Sequence, residues 1–167
     1  MSTDPIIITP DFVWPEPDTH GNRTLANGAT IGSDAVIGQY AVIGQGARIG
    51  QRAVIGPDAV IEQRAVIGPD AVIERYATIG QGATIGQGAR IERHARWIAC
   101  VGFADGYYKD LCAVGDVAYI GAGCRWFTLG AALRHWGDHE EDRQDTLDLM
   151  QAAVAIAKRR GLKLEEA

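Results

Sequence analysis

From Leu25 to Arg96 the chain is one pattern repeated without insertion: LANGAT, IGSDAV, IGQYAV, IGQGAR, IGQRAV, IGPDAV, IEQRAV, IGPDAV, IERYAT, IGQGAT, IGQGAR and IERHAR. Across these twelve units the first residue is always Leu or Ile, the fifth is always Ala, and the second is mostly Gly. An aliphatic residue every six positions cannot make the i, i+3, i+4, i+7 stripe of an amphipathic helix. It suits a short strand, a corner and a repeat of the same, with a core that only the stacked array possesses. With three units to a coil, the twelve units make four coils, and residues eighteen apart stack at about 4.8 Å. The leading Ile or Leu then fills the interior, Ala fits where the chain turns, and Gly relieves crowding.

The same register predicts the surface. Asp34, Arg52 and Asp70 fall in one column of alternating charge. Asn27, Gln45, Gln63 and Gln81 fall in a second, where side-chain amides can bond along the stack. Such ladders fix the register and add little energy. Val36, Val54 and Val72 form a third column, and Val42 and Val60 begin a fourth. A contiguous exposed apolar strip marks an interface.

The units resemble the hexapeptide-repeat family, whose members form a left-handed parallel β-helix with three flat sides. The resemblance covers Leu25–Arg96. It implies a parallel homotrimer about a threefold axis, a contact for which the valine columns are suited. The best-known members are acyltransferases, which bind acetyl-CoA or another acyl donor between two prisms and use a histidine as general base. Imidazole serves there because it titrates near the working pH. Of His20, His94, His135 and His139, only His94 lies on the array, at the fourth position of IERHAR. The family's I-G-G-H signature places its histidine at that same position. Its neighbours here are Glu92, Arg93 and Arg96 rather than glycines and small residues, and the family's extruded loop is missing. In its column His94 follows Tyr40, Asp58 and Tyr76. A carbonic anhydrase of this fold needs three histidines around zinc, more than one array histidine supplies. His135 and His139 are four apart, but Gly137-Asp138 interrupts any helix between them, so no metal is expected. The glycines recur with the repeat and form no P-loop or dinucleotide fingerprint.

An open array needs caps. Residues 1–24, with IIIT followed by Pro10, Pro15 and Pro17, read as an irregular N-terminal cap in which Trp14 covers the first coil. The period breaks at Trp97, and residues 97–167 read as a small ββαα module. Its expected elements are strands at Tyr107–Val114 and Val117–Phe127 joined at Gly115-Asp116, a short helix capped by Thr128 and ending at Gly137, and a helix over Asp142–Arg160 stopped by Gly161. Gly106–Gly137, with AGCRWFT followed by a short helix ending in HW, resembles a segment of small uncharacterised bacteriophage and prophage proteins. That likeness implies a phage-encoded protein acting in a host cytoplasm.

The net charge of −5 and the lack of any Lys/Arg block argue against a nucleic-acid polymer as partner. No apolar run reaches membrane-spanning length, and the first residues lack a signal-peptide pattern. Cys100, Cys112 and Cys124 are odd in number with no C-x-x-C, so buried reduced thiols are expected. Two readings follow. The first is a mainly β protein without cofactor, a trimeric scaffold that captures a small anionic ligand or a host protein, such as a nucleotide immune signal sequestered in counter-defence. Arg90, Arg93, Arg96 and Arg125 would hold the anion, and Trp97 and Trp126 would stack on it or belong to the core. The second is an acyltransferase using His94.

Overall fold

The computed structural model describes residues 4–122, 125–137 and 144–165. Each repeat gives a two-residue strand, made of its sixth residue and the first of the next unit, and a four-residue turn. Three parallel ladders result. The first face carries β3 (Thr30–Ile31), β6 (Arg48–Ile49), β9 (Val66–Ile67) and β12 (Thr84–Ile85). The second carries β4 (Val36–Ile37), β7 (Val54–Ile55), β10 (Val72–Ile73) and β13 (Arg90–Ile91). The third carries β5 (Val42–Ile43), β8 (Val60–Ile61), β11 (Thr78–Ile79) and the start of β14 (Arg96–Ala104). Partners are eighteen residues apart, as in Val36↔Val54↔Val72↔Arg90, so the chain builds a parallel β-solenoid of four coils. The leading isoleucines from Ile43 to Ile91 are buried, with every array alanine from Ala41 to Ala95 beside them.

The corners explain the rest of the repeat. The fourth residue of every unit is left-handed, from Arg52 at φ 55° to Gly28 at 79°. From Gly46 onward its amide donates to the third-residue carbonyl one coil earlier, for example Arg64 N to Gln45 O at 2.9 Å and His94 N to Arg75 O at 3.2 Å. Gly at position two is needed where coils approach closely: a Cβ on Gly32 would lie 2.6 Å from the Gln51 nitrogen, and one on Gly68 2.6 Å from that of Gln87. Glu62 takes this position too, and its carboxylate accepts from the Gln81 amide at 2.8 Å.

Two expectations are corrected. The first unit, LANGAT, is not a solenoid unit: it forms the turn of a hairpin in which β2 (Arg23–Thr24) runs antiparallel to β3. The four coils therefore begin at Thr30. Along the column of Asn27, Gln45, Gln63 and Gln81 the corner backbone makes the links, and among the described residues Asn27 alone of the four reaches along the stack through its side-chain amide. Asn27 is buried and closes the array end: its side-chain amide donates to Ile43 O at 2.9 Å, and its carbonyl oxygen accepts from Ala29 N at 3.1 Å. Arg52 does reach along the charge column, with a bidentate contact to Asp70 at 2.7 and 3.0 Å. The N-terminal segment adds β1 (Ile6–Ile7) antiparallel to β5, and Phe12 and Trp14 pack on the solenoid core.

Beyond the array, β14 continues into an antiparallel meander with β15 (Tyr107–Val114), β16 (Val117–Ala122) and β17 (Arg125–Thr128), followed by α1 (Leu129–Gly137) and α2 (Gln144–Arg159). The expected hairpin and both helices are present, but the sheet holds more strand than expected. Val117–Phe127 is two antiparallel strands rather than one, and Arg96–Ala104 is a strand joined to β15 by Asp105 and Gly106, both at positive φ. Thr128 Oγ1 accepts from Ala131 N at 3.2 Å at the start of α1, and Gly161, at φ 68°, follows α2. The expected helix residues Asp142 and Arg143, together with Cys124 and His139, lie outside the described residues.

This sheet is the solenoid's lid. One of its faces sends Trp97, Cys112, Val114 and Trp126 onto the core of the last coil. The other packs Leu111, Ala113, Ala118 and Ile120 against Leu129, Trp136, Met150 and Ala153 of the helices. Cys112 is buried and Cys100 partly so, both as free thiols. Among the described residues no helix is long and apolar enough to cross a membrane.

Candidate functional site

The vertex between the second and third faces carries the most unusual surface. Its left-handed corner residues are Tyr40, Asp58, Tyr76 and His94, one per coil. On one side runs the column Val36, Val54, Val72 and on the other Val42, Val60, because the strands that flank this corner end and begin there. The exposed fractions are 58% for Val36, 51% for Tyr40, 37% for Val54 and 43% for Tyr76, which makes a contiguous apolar edge. Toward the last coil the edge becomes aromatic and basic. The Tyr76 and His94 rings stack with centroids 4.9 Å apart at 9°, and the Arg75 guanidinium lies 5.0 Å from the Tyr76 ring centroid.

Four residues singled out in the sequence meet here. Arg90 precedes the corner, Arg93 and His94 form it, and Arg96 follows. Arg90 is engaged: it pairs with Glu74 and, at 3.1 Å, with Glu92. Arg93 and Arg96 are exposed and, among the described residues, have no ion-pair partner.

The other three go elsewhere. Trp97 lies in the seam between lid and solenoid, its ring 3.7 Å from where a Cβ on Gly80 would be. Trp126 enters the same seam, stacked on Tyr119 at 5.6 Å. Arg125, one residue earlier on the strand, belongs to the opposite face, where its guanidinium lies 3.3 Å from Nε2 of His135. His135 in turn stacks on Phe127. Arg125 and Trp126 therefore face opposite sides of the lid sheet.

Sequence reasoning missed Asp110. Its carboxylate is buried in the lid seam and accepts from the Trp97 indole N–H at 3.1 Å. Burial pushes its pKa up to about 6, against the opposing pull of that hydrogen bond. Burial, and then the charge of Asp110, also raise the thiols of Cys100 and Cys112. Lys109, equally buried on the other face of the strand, donates to the carbonyls of Ala104 at 2.6 Å and Tyr107 at 3.3 Å. A Lys-Asp pair in an otherwise apolar strand pattern was the available signal.

Chemically, the vertex offers guanidinium donors, a flat aromatic stack and apolar walls. These fit recognition of an anion that bears a planar group. The His94 imidazole is held by stacking on Tyr76, and among the described residues none orients it by a hydrogen bond. Residues 28–63 match the family described as bacterial transferase hexapeptide (six repeats). No curated protein matches the chain. Eighteen-residue coils and a left-handed residue at every corner make the array a parallel β-solenoid, and within it residues 28–63 are similar to the hexapeptide-repeat family.

Proposed function

We propose that the chain is a self-associating solenoid that captures an anionic ligand and does not catalyse acyl transfer. The observation that carries this is the vertex itself, an apolar edge over three coils that ends in the exposed Arg93 and Arg96 beside the Tyr76–His94 stack. Hexapeptide-repeat proteins commonly form trimers, and the valine columns give such an assembly a contact surface. The likeness of Gly106–Gly137 to phage and prophage segments favours a host-derived ligand. A nucleotide signal has the phosphates for the arginines and the base for the rings, which suits a counter-defence role in the host cytoplasm. The competing reading, an acyltransferase with His94 as base, draws on the exposed corner position of that histidine.

The two readings part on substitution. A mass-spectrometric inventory of small molecules carried by the purified chain should find an anion. The Arg93→Ala/Arg96→Ala variant should lose it by about tenfold or more, as expected when charged hydrogen bonds are removed. His94→Ala should retain it within about threefold, since an edge of stacking contributes little beyond area. Acetyl transfer from acetyl-CoA that disappears in His94→Ala would overturn this proposal, because loss of a general base costs about 10²-fold or more.

A further inference from the structure

The first coil has no coil before it, so the backbone groups it would use there need other partners. Inside the stack the carbonyls of the fifth and first residues accept from the preceding coil, as Ala53 O does from Val36 N at 2.9 Å and Ile55 O from Gly38 N at 2.7 Å. On the third face of the first coil these places are filled: Ala41 O accepts from Ile8 N at 2.9 Å, Ile43 O from the Asn27 amide at 2.9 Å, and β1 lies antiparallel along the edge. The first face is filled as well, by β2 antiparallel to β3 and by Leu25 N donating to Ala29 O at 2.8 Å. On the second face, β4 ends its sheet, and among the described residues no donor meets Ala35 O or Ile37 O.

Burial marks the same place. Ala35 and Ile37 are only partly buried, whereas the corresponding alanines and isoleucines of the later coils are at most 5% exposed. Beside β4 is a cleft of 590 Å³ lined by Trp14, Arg23, Ile31, Ala35 and Ile37. Asp34 stands at its rim. It heads the charge column, but Arg52 turns to Asp70, and Asp34 has no ion-pair partner among the described residues.

We propose that β4 is a strand-addition site for an extended segment of a partner protein. The segment runs antiparallel to β4, sends an aliphatic side chain into the cleft and places a Lys or Arg opposite Asp34. Antiparallel addition is how the chain itself closes the other two edges at this end. The free carbonyls supply affinity, while the cleft and the carboxylate select the sequence. This site is at the opposite end of the solenoid from Arg93 and Arg96, so it stands or falls independently of anion capture.

The probe is the peptide acetyl-Lys-Ile-Thr-Ile-Lys-amide, titrated into the full isotope-labelled chain while amide hydrogen exchange is followed by NMR. Saturating peptide should slow exchange at Ile37 about tenfold or more, as expected for an edge amide drawn into a ladder. The same peptide N-methylated at both isoleucines should give no protection. Asp34→Asn keeps a residue that tolerates the left-handed backbone, and should weaken the peptide by about two- to fivefold, the range of an exposed ion pair. Protection that maps elsewhere, or that survives N-methylation, would overturn the proposal. So would an Ile37 amide already protected without peptide in a concentration-dependent way, since a second copy would then occupy the edge.

Discussion

Replacing Ile61 by Ala should lower the free energy of unfolding by about 2–5 kcal/mol. Ile61 is fully buried in the second coil, stacked between Ile43 and Ile79 on the third face. The hole left behind cannot close easily, because the coils on either side are fixed by the backbone ladders, as in Val60 N to Ala77 O at 2.9 Å and Val42 N to Ala59 O at 2.8 Å. Val60, one residue earlier, points the other way and is only partly buried. Val60→Ala should therefore cost the isolated chain about 1 kcal/mol or less. Denaturant unfolding of both variants checks the contrast. Equal losses would contradict the alternation on which the solenoid core rests.

Asp110 should make the chain less stable as pH rises from about 4 to about 6. Its folded pKa is raised from 3.8 to about 6, so the folded state holds the proton that the unfolded chain releases. Below the unfolded value both states are protonated and nothing is lost. Between the two values stability falls, and above the folded value the loss is complete, at roughly 3 kcal/mol for a shift of about two units. The exposed carboxylates of Asp18, Asp70 and Asp116 work in the opposite sense: backbone N–H bonds hold Asp18 low, and Arg52 and Lys163 do so for Asp70 and Asp116. Asp110→Asn isolates the effect, since it keeps an oxygen for the Trp97 indole while removing the charge. Unfolding midpoints from pH 3.5 to 7.5 should show the variant gaining on the parent chain across that window. A constant difference between the two would contradict a buried, titrating carboxyl in the seam.

The solenoid was legible because stacking converts sequence spacing into contact. Residues eighteen apart must meet, so the Arg52–Asp70 pair and the Tyr76–His94 stack both follow from counting. The vertex site was legible for the same reason: Arg90, Arg93, His94 and Arg96 are neighbours in sequence and in the last coil. Elsewhere the constraint is tertiary. Nothing in IIIT tells that Ile6 and Ile7 pair with Ile43 and Val42, or that this leaves β4 uncovered. The strand Arg96–Ala104 has apolar residues on both faces and slips register between Trp97 and Ala99 and again between Cys100 and Gly102, which hides the alternation. Arg125 and Trp126 adjoin in sequence, yet in a strand adjacent side chains point apart. For Asp110 the Lys109-Asp110 pair in an apolar strand is the one local signal, and its raised pKa depends on burial where the lid docks on the solenoid.

We propose that the valine columns are the contact through which copies of this chain assemble. Light scattering coupled to size exclusion tests it most directly, on the parent chain and on Val54→Arg/Val72→Arg. Both valines lie on the second face, paired with each other one coil apart, so the variant places two unpaired charges in a contact that must shed water. The parent mass should be three times 17.9 kDa, and the variant should be monomeric or insoluble. A parent chain of 17.9 kDa, or a double variant with an undiminished trimer, would contradict it.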